Sequence, residues 1–210
     1  MDKQNQFKEP DLHLDRIVFF SDAVVAIAIT LLVLDLKLDI PKPRSVQWSN
    51  FTGLYPKFAA YILSFVLIAL FWIVHNQFFR HIKRMNEPLA WLNILWLFFI
   101  ALLPFSASLL SAHFGEPVAT IVYSVNILCI AFAQNFIWDF VAARPDFLND
   151  TIEKTMVRNY QVYCNVGIVN GLVALVFAFF TPVIAFFILF TRPIMMAFYQ
   201  RWSIRNRIHR

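Results

Sequence analysis

The chain has 210 residues, of which 60% are apolar and only 15% are charged, and its mean hydropathy is +0.62. Ordinary soluble domains are roughly 45 to 50% apolar and about 25% charged, and 24 Phe residues exceed what one soluble core of this size hides. These values exclude a water-soluble globular protein. Because the apolar runs are continuous rather than alternating, they also argue against an outer-membrane barrel. We predict an all-α, polytopic membrane protein.

Six stretches of the chain are long and apolar enough to cross a bilayer. A spanning helix needs about 20 apolar residues, because its backbone polar groups must bond within the segment. The predicted helices are 17–36, 58–79, 89–110, 118–138, 162–180 and 183–199. Arg192 and Pro193 interrupt the sixth, so we expect either that Arg192 extends toward the nearby membrane surface or that this helix ends early. Residues 1–210 are predicted to form a single six-helix domain.

The distribution of Lys and Arg predicts the orientation of these helices. The Lys and Arg residues after the first, third and fifth helices are Lys37, Lys42, Arg44 and Lys57. The other 14 of the 18 lie in the N-terminal segment, after the second and fourth helices, or from Arg192 onward. Because cytosolic segments carry the positive excess, we expect a cell-membrane protein with both termini in the cytosol. The net charge of +5 is then a topology signal and not a nucleic-acid surface.

Polar residues inside the predicted helices are the first candidates for function, since an ionisable group there costs about 2.5 to 3.5 kcal/mol on insertion scales. Given the predicted orientation, five of them share one depth near the cytosolic side: Ser21, Asp22, Trp72, His75 and Asn93. We expect one hydrogen-bonded layer. Two interpretations stay open, namely a proton relay or ion site, and a structural clamp that holds the first three helices together.

The first helix also carries a stripe along one face when it is rotated by 100° per residue. The members of the stripe are Arg16, Phe20, Ile27, Leu31 and Leu34, with Thr30 beside them. Asp22 lies about 140° away from the stripe. The stripe either faces lipid or, if several copies meet around an axis, forms stacked aliphatic rings that gate by dewetting.

Three short motifs carry a resemblance to a known family. Residues 16–22 read R-x-x-x-F-S-D and lead into an apolar stretch, residues 72–75 read W-x-x-H, and residues 103–105 read L-P-F. Together they resemble the signature of the transmembrane protein 175 family of potassium channels, and the resemblance covers nearly the whole chain. It implies a prokaryotic homotetramer of six-helix subunits, with the first helix of each subunit lining a central pore.

The resemblance also implies roles for single residues. It places the aliphatic constriction at Ile27, further lining at Leu34, and a pore-facing hydroxyl at Thr30, with Leu31 on the same turn. It implies that Ser21 and Asp22 bond with the second and third helices, for which the candidate partners are Trp72, His75 and Asn93. Arg16 is expected at the cytosolic mouth, and two interpretations of it stay open: a pair with an acid such as Asp11 or Asp15, or a positive-inside anchor.

From these features we expect a potassium-preferring cation channel that conducts passively through the constriction. Its expected partners are further copies of itself, membrane lipid and potassium ions, with no nucleic acid, no cofactor and no metal other than permeating potassium. The alternative is a proton-coupled secondary transporter with an Asp22 and His75 relay, although the first helix lacks the Gly or Pro breaks typical of transporters. An enzyme is not expected, because the five His residues show no metal-ligand spacing.

Overall fold

The fold consists of six helices in one chain, as a computed structural model shows. The structure describes residues 12–37, 51 and 53–208, and the side chains of 14–37, 51 and 53–198. The helices are α1 (Leu12–Leu31), α2 (Tyr55–Phe79), α3 (Glu87–Ala112), α4 (Pro117–Ala142), α5 (Lys154–Phe180) and α6 (Pro182–Ile208). The predicted all-α, six-helix fold is confirmed, and the described residues contain no strand beyond one isolated bridge.

Local sequence features explain where several helices begin. The side chain of Asn86 caps α3 by accepting a hydrogen bond from the backbone N–H of Leu89 at 3.1 Å, which satisfies one of the unpaired N–H groups of the first turn. Pro117 and Pro182 open α4 and α6, where a missing N–H costs nothing. Gly115 has a φ of +88° and so permits the tight turn between α3 and α4.

The helices α1, α5 and α6 differ most from the predicted spans. α5 begins at Lys154 rather than at residue 162, because its first two turns are polar and a search for apolar residues does not register them. α1 is α-helical only to Leu31 and then tightens into a 3₁₀ turn over Leu32–Asp35. At the end of that turn Asp35 accepts a hydrogen bond of 2.9 Å from the hydroxyl of Ser108 on α3.

The chain is a multi-pass membrane protein. Within the described residues, five helices are long and apolar enough to span a bilayer, and the apolar part of α6, Pro182–Phe198, is a shorter sixth. The predicted early end of α6 is wrong, since the helix continues through Pro193 to Ile208. Pro193 removes one backbone hydrogen bond, but the packing of this segment against the neighbouring helices preserves the helix.

The helices pack mostly against their neighbours in sequence, and α1 lies against α2 and α3. α2 is the shared element, because it also contacts α4 and α6. The largest fully buried side chains are five aromatic residues and one arginine: Trp96, Trp138, Arg192, Tyr123, Phe71 and Phe78. At one end of the bundle the α2–α3 and α4–α5 loops pair through a bridge between Ile82 and Leu148, which ties the end of α2 to the outer helices.

Candidate functional site

α1 has one face packed against the rest of the subunit. The buried residues of α1 and of the 3₁₀ turn that follows it are Ser21, Val25, Ala28 and Leu32, which recur every three or four positions and so form a single face. Ala28 on this face permits close approach of the neighbouring backbone, as small residues do between membrane helices. The orientation of α1 in the subunit is therefore fixed by this face.

The predicted stripe lies on the opposite, uncovered side of α1. Ile27 and Leu34 are each 59% exposed, and Phe20, Thr30 and Leu31 are exposed as well. Ile27 is about 160° from Val25 around the helix, so the stripe and the packed face are nearly opposed. The uncovered arc is wider than predicted, because Phe19 and Val33 are also exposed.

The 3₁₀ turn at the end of α1 alters the geometry of the stripe. The sequence prediction assumed α-helical rotation as far as Leu34, whereas that residue lies within the turn Leu32–Asp35. In a 3₁₀ helix, residues three apart are eclipsed. Leu34 therefore lies almost directly above Leu31, and the two side chains extend the uncovered stripe along the helix axis.

Thr30 bonds within its own helix. Its hydroxyl donates to the backbone carbonyls of Ala26 at 3.0 Å and Ile27 at 2.8 Å. Since the single hydroxyl proton is used in this way, only the oxygen lone pairs are directed away from the helix. An exposed hydroxyl in this state is an acceptor that a cation can approach.

Asp22 bonds to α2 through one contact. The indole N–H of Trp72 donates to Oδ1 of Asp22 at 2.8 Å, and both side chains are partly buried. A charge-assisted hydrogen bond of this kind is stronger than a neutral one. It joins α1 to α2 on the side away from Ile27.

A second hydrogen-bonded unit joins α1, α2 and α3. The side-chain amide of Asn93 donates to the hydroxyl of Ser21 at 2.9 Å, and the Ser21 hydroxyl donates to the backbone carbonyl of Ile17 at 2.8 Å. The other end of Asn93, its carbonyl oxygen, lies 2.7 Å from Nε2 of His75. Because a carbonyl oxygen only accepts, Nε2 of His75 carries the proton in this arrangement.

His75 is enclosed by aromatic rings and is only 2% exposed. Its ring stacks on Trp96 with 4.2 Å between centroids and on Phe79 with 4.3 Å. The sequence grouped the five polar residues into one layer, whereas the structure forms two separate units, Asp22 with Trp72 and Ser21 with Asn93 and His75. The relay of the transporter alternative requires an exchange between Asp22 and His75, and both Asp22 and Nε2 of His75 bond to other groups.

The structure places Arg16 at the N-terminal part of α1, where it and Asp15 are exposed. Asp11, the other expected partner of Arg16, lies outside the described residues, as do Lys42 and Arg44 of the α1–α2 connection. In the part of the chain that the structure describes, no group of three or more His, Cys, Asp or Glu residues is placed to hold a metal ion.

Arg192 is the residue whose position the sequence prediction missed. Rather than reaching toward the membrane surface, its side chain is 2% exposed and its guanidinium carbon lies 3.8 Å from the ring centroid of Phe71. The predicted snorkelling is therefore wrong. Sequence hydropathy gives no signal for this location, because it depends on space provided by Gly167 on another helix. Without Arg192, the Lys and Arg bias still has the same sign.

Comparisons with known proteins identify the family of this chain. Residues 16–104 match the family model described as endosomal/lysosomal potassium channel TMEM175. The chain is 30% identical over 172 residues to a potassium channel of Chryseobacterium sp., covering 81% of this chain and 85% of that protein. It is 35% identical over 156 residues to a potassium channel of Streptomyces collinus, covering 72% and 76% respectively.

A solved structure has the same fold over almost the full length. It is the crystal structure of a lysosomal potassium-selective channel TMEM175 homolog from Chamaesiphon minutus, with a TM-score of 0.76 and 27% identity. The match covers 91% of this chain and 98% of that one. With a shared fold and two relatives at 30% identity or more along most of their length, the chain belongs to the TMEM175 family.

Proposed function

We propose that the protein is a potassium-selective channel in which copies of α1 surround a shared axis. The single observation that carries this proposal is the orientation of α1: its polar anchors and small residue face its own subunit, whereas the apolar stripe with Ile27 at 59% exposure is left uncovered. The family membership supports the same function, since relatives in Chryseobacterium and Streptomyces are named potassium channels.

The proposed assembly is a homotetramer. Identical subunits close most simply by cyclic symmetry, and such closure covers the uncovered face of α1 in every subunit equally. The four copies of Ile27 then form the narrowest ring, with rings of Leu31 and Leu34 above it. In the single subunit, one face of α1 is packed against neighbouring helices and the nearly opposite, aliphatic face is exposed. The proposed assembly explains this exposure, because the aliphatic face lines the pore.

Selectivity is proposed to arise from dehydration at the aliphatic rings. The four Gly residues of the chain do not form a T-V-G-Y-G element, so carbonyl coordination of that kind is absent from the sequence. A narrow apolar constriction gates by dewetting, and the more weakly hydrated potassium ion loses less free energy than sodium when it sheds water there. The lone pairs of Thr30, one turn above Ile27, offer partial compensation.

The proposed location is the cell membrane, with both termini in the cytosol. The basic residues of the α2–α3 loop, Arg80, Lys83 and Arg84, and Arg144 after α4 lie at the ends that this orientation places in the cytosol. The positive-inside rule supports this orientation. Arg16 at the N-terminal part of α1 is then near the cytosolic mouth of the pore.

Reversal potentials test the proposed function. The purified protein is placed in a planar bilayer with opposing potassium and sodium gradients, and protein-free bilayers serve as the control. We expect discrete unitary currents whose reversal potential lies toward the potassium equilibrium potential. Flux that saturates and requires a proton gradient, with no unitary currents, would contradict the proposal and favour a proton-coupled transporter.

A further inference from the structure

Arg192 carries a positive charge inside the spanning bundle, and its contacts are unusual. Within the described residues, its Nε and Nη1 have no hydrogen-bond partner and are buried. An unpaired buried charge is costly, so the chain must compensate through another interaction. The guanidinium carbon lies 3.8 Å from the centroid of the Phe71 ring. The face of this ring attracts the cation through its quadrupole and so compensates part of the cost of burial.

The space for this contact comes from α5. A Cβ atom at Gly167 would lie 2.9 Å from Nη2 of Arg192, closer than Cβ contacts occur. Any larger residue at that position would displace the guanidinium. The absence of a side chain at Gly167 thus leaves room for the Arg192 guanidinium between α5 and the Phe71 ring.

The backbone of Phe71 is held by a further outer helix. The side-chain amide of Gln134 on α4, itself buried, donates to the backbone carbonyl of Phe71 at 2.9 Å. Two helices that do not carry the pore stripe, α4 and α6, therefore converge on one residue of α2. Such convergence fixes the rotation of α2 about its own axis at this depth.

The next residue of α2 is Trp72, which donates to Asp22 on α1. Consecutive residues of an α-helix lie 100° apart and differ by 1.5 Å in height. Fixing Phe71 on the outer side of α2 therefore fixes the direction in which the Trp72 indole is presented to α1.

We propose that Arg192 is a positioning residue for conduction: through the Phe71 ring it sets the rotation of α2, and through Trp72 and Asp22 it sets the rotation of the pore-lining α1. The inference rests on the proposed channel function. Arg192 itself does not touch the pore.

Three variants test the contact between the Arg192 guanidinium and the Phe71 ring. Arg192→Met removes the charge and keeps an unbranched apolar side chain; replacing buried charges by apolar groups is often neutral or stabilising, so this variant is expected to fold. Arg192→Lys keeps a cation for the Phe71 ring. Phe71→Leu removes the other partner of the contact, the aromatic ring. The proposal therefore stays testable if one of the two variants is unstable.

The matched control is Asn170→Ala. Asn170 on α5 donates to the Thr191 hydroxyl and the Ile188 carbonyl of α6, at 3.0 and 2.9 Å. It therefore supports the same helix pair immediately beside Arg192, and its hydrogen bonds in the described residues do not involve α2. We expect Asn170→Ala to lower the unfolding temperature without changing the potassium-to-sodium permeability ratio.

The potassium-to-sodium permeability ratio distinguishes the two roles of Arg192, because a residue that only stabilises the fold does not change this ratio when it is replaced. We expect Arg192→Met and Phe71→Leu each to change it about threefold or more, the size of coupling seen between interacting residues, and Arg192→Lys to change it less. In a Trp72→Phe background, which removes the indole donor, Arg192→Met should produce no further change. Full additivity of the two substitutions would overturn the positioning role.

The wild-type current separates the two proposals. If the wild type passes no cation-selective current, the proposed function fails. If the wild type is selective and both Arg192→Met and Phe71→Leu keep its permeability ratio, only the role of Arg192 is overturned, whatever happens to the unfolding temperature.

Discussion

Trp72 donates its indole N–H to Oδ1 of Asp22 across a distance of 2.8 Å, while the preceding residue of α1, Ser21, accepts a hydrogen bond from Asn93 on α3. Adjacent positions of α1 are thus anchored to different helices. Because consecutive residues point about 100° apart, the two bonds together restrain the rotation of α1 within the subunit. The uncovered direction of Ile27 follows from these anchors.

Asp22→Ala tests the anchor to α2. The change removes the acceptor of the Trp72 indole, and leaving a partly buried donor unpaired costs roughly 1 to 3 kcal/mol. We expect a lower unfolding temperature and a smaller tetramer fraction by native mass spectrometry. Asp15→Ala, at an exposed acid on the same helix, is the control and should change neither. A full-strength tetramer of Asp22→Ala would instead point to a role of this carboxylate in permeation.

Ile27→Asn tests the narrowest ring. A polar side chain stabilises water in the constriction, so conductance should rise and potassium preference should fall. The control is Ile184→Asn on α6, which makes the same chemical change at an exposed position outside α1 and should leave the current unchanged. Unaltered ion flux in Ile27→Asn liposomes would place Ile27 outside the pore.

Thr30→Val tests whether the Thr30 hydroxyl acts on permeating ions without contributing to the stability of the subunit. Within the described residues, the Thr30 hydroxyl donates to backbone carbonyls of its own helix, so removing it breaks none of the described hydrogen bonds between helices. We expect an unchanged unfolding temperature and an altered potassium-to-sodium permeability ratio from reversal potentials. An unchanged ratio would show that permeating ions do not approach this hydroxyl.

His81→Gln tests a pH dependence at the loop that closes the bundle. Partial burial, and secondarily the charge of Arg80, lower the pKa of His81 below 6.5, so the folded protein favours the neutral ring. As the pH falls below 6.5 the unfolded chain binds the proton first, and stability is lost until the folded pKa is passed. Above about pH 6.5, both the folded and the unfolded chain hold His81 neutral, and the contribution of this residue to folding stability no longer changes with pH.

The measurement is the unfolding temperature of the wild type and of His81→Gln between about pH 7 and about pH 5. Nε2 of His81 lies 3.2 Å from the Tyr160 hydroxyl, and Gln keeps a group able to bond there. We expect the wild type to lose more stability than the variant on acidification. Parallel curves would assign the pH dependence to other groups.

The sequence predicted the helices well because membrane burial demands long apolar runs, and those runs are visible without knowledge of the packing. The depth of Asp22, Trp72, His75 and Asn93 also followed from counting residues along each helix. Which of them bond to each other did not follow, since depth does not specify the rotation of one helix relative to the next.

The location of Arg192 shows a different limit of the sequence. Hydropathy treats Arg as a residue of the membrane surface, whereas this side chain lies over Phe71 because Gly167 on a third helix leaves it room. Such a site depends on three segments distant in sequence. The 3₁₀ turn at Leu32–Asp35 was missed for a similar reason, because its end is bonded to Ser108 on α3.

The proposed pore depends on where the uncovered face of α1 lies in the assembly. Electron cryo-microscopy of the full chain in lipid nanodiscs would locate it. The result we expect is four subunits around an axis, with the Ile27 side chains forming the narrowest ring and α1 lining the passage. An assembly in which Ile27 contacts lipid, and a different helix surrounds the central hole, would contradict the proposed pore.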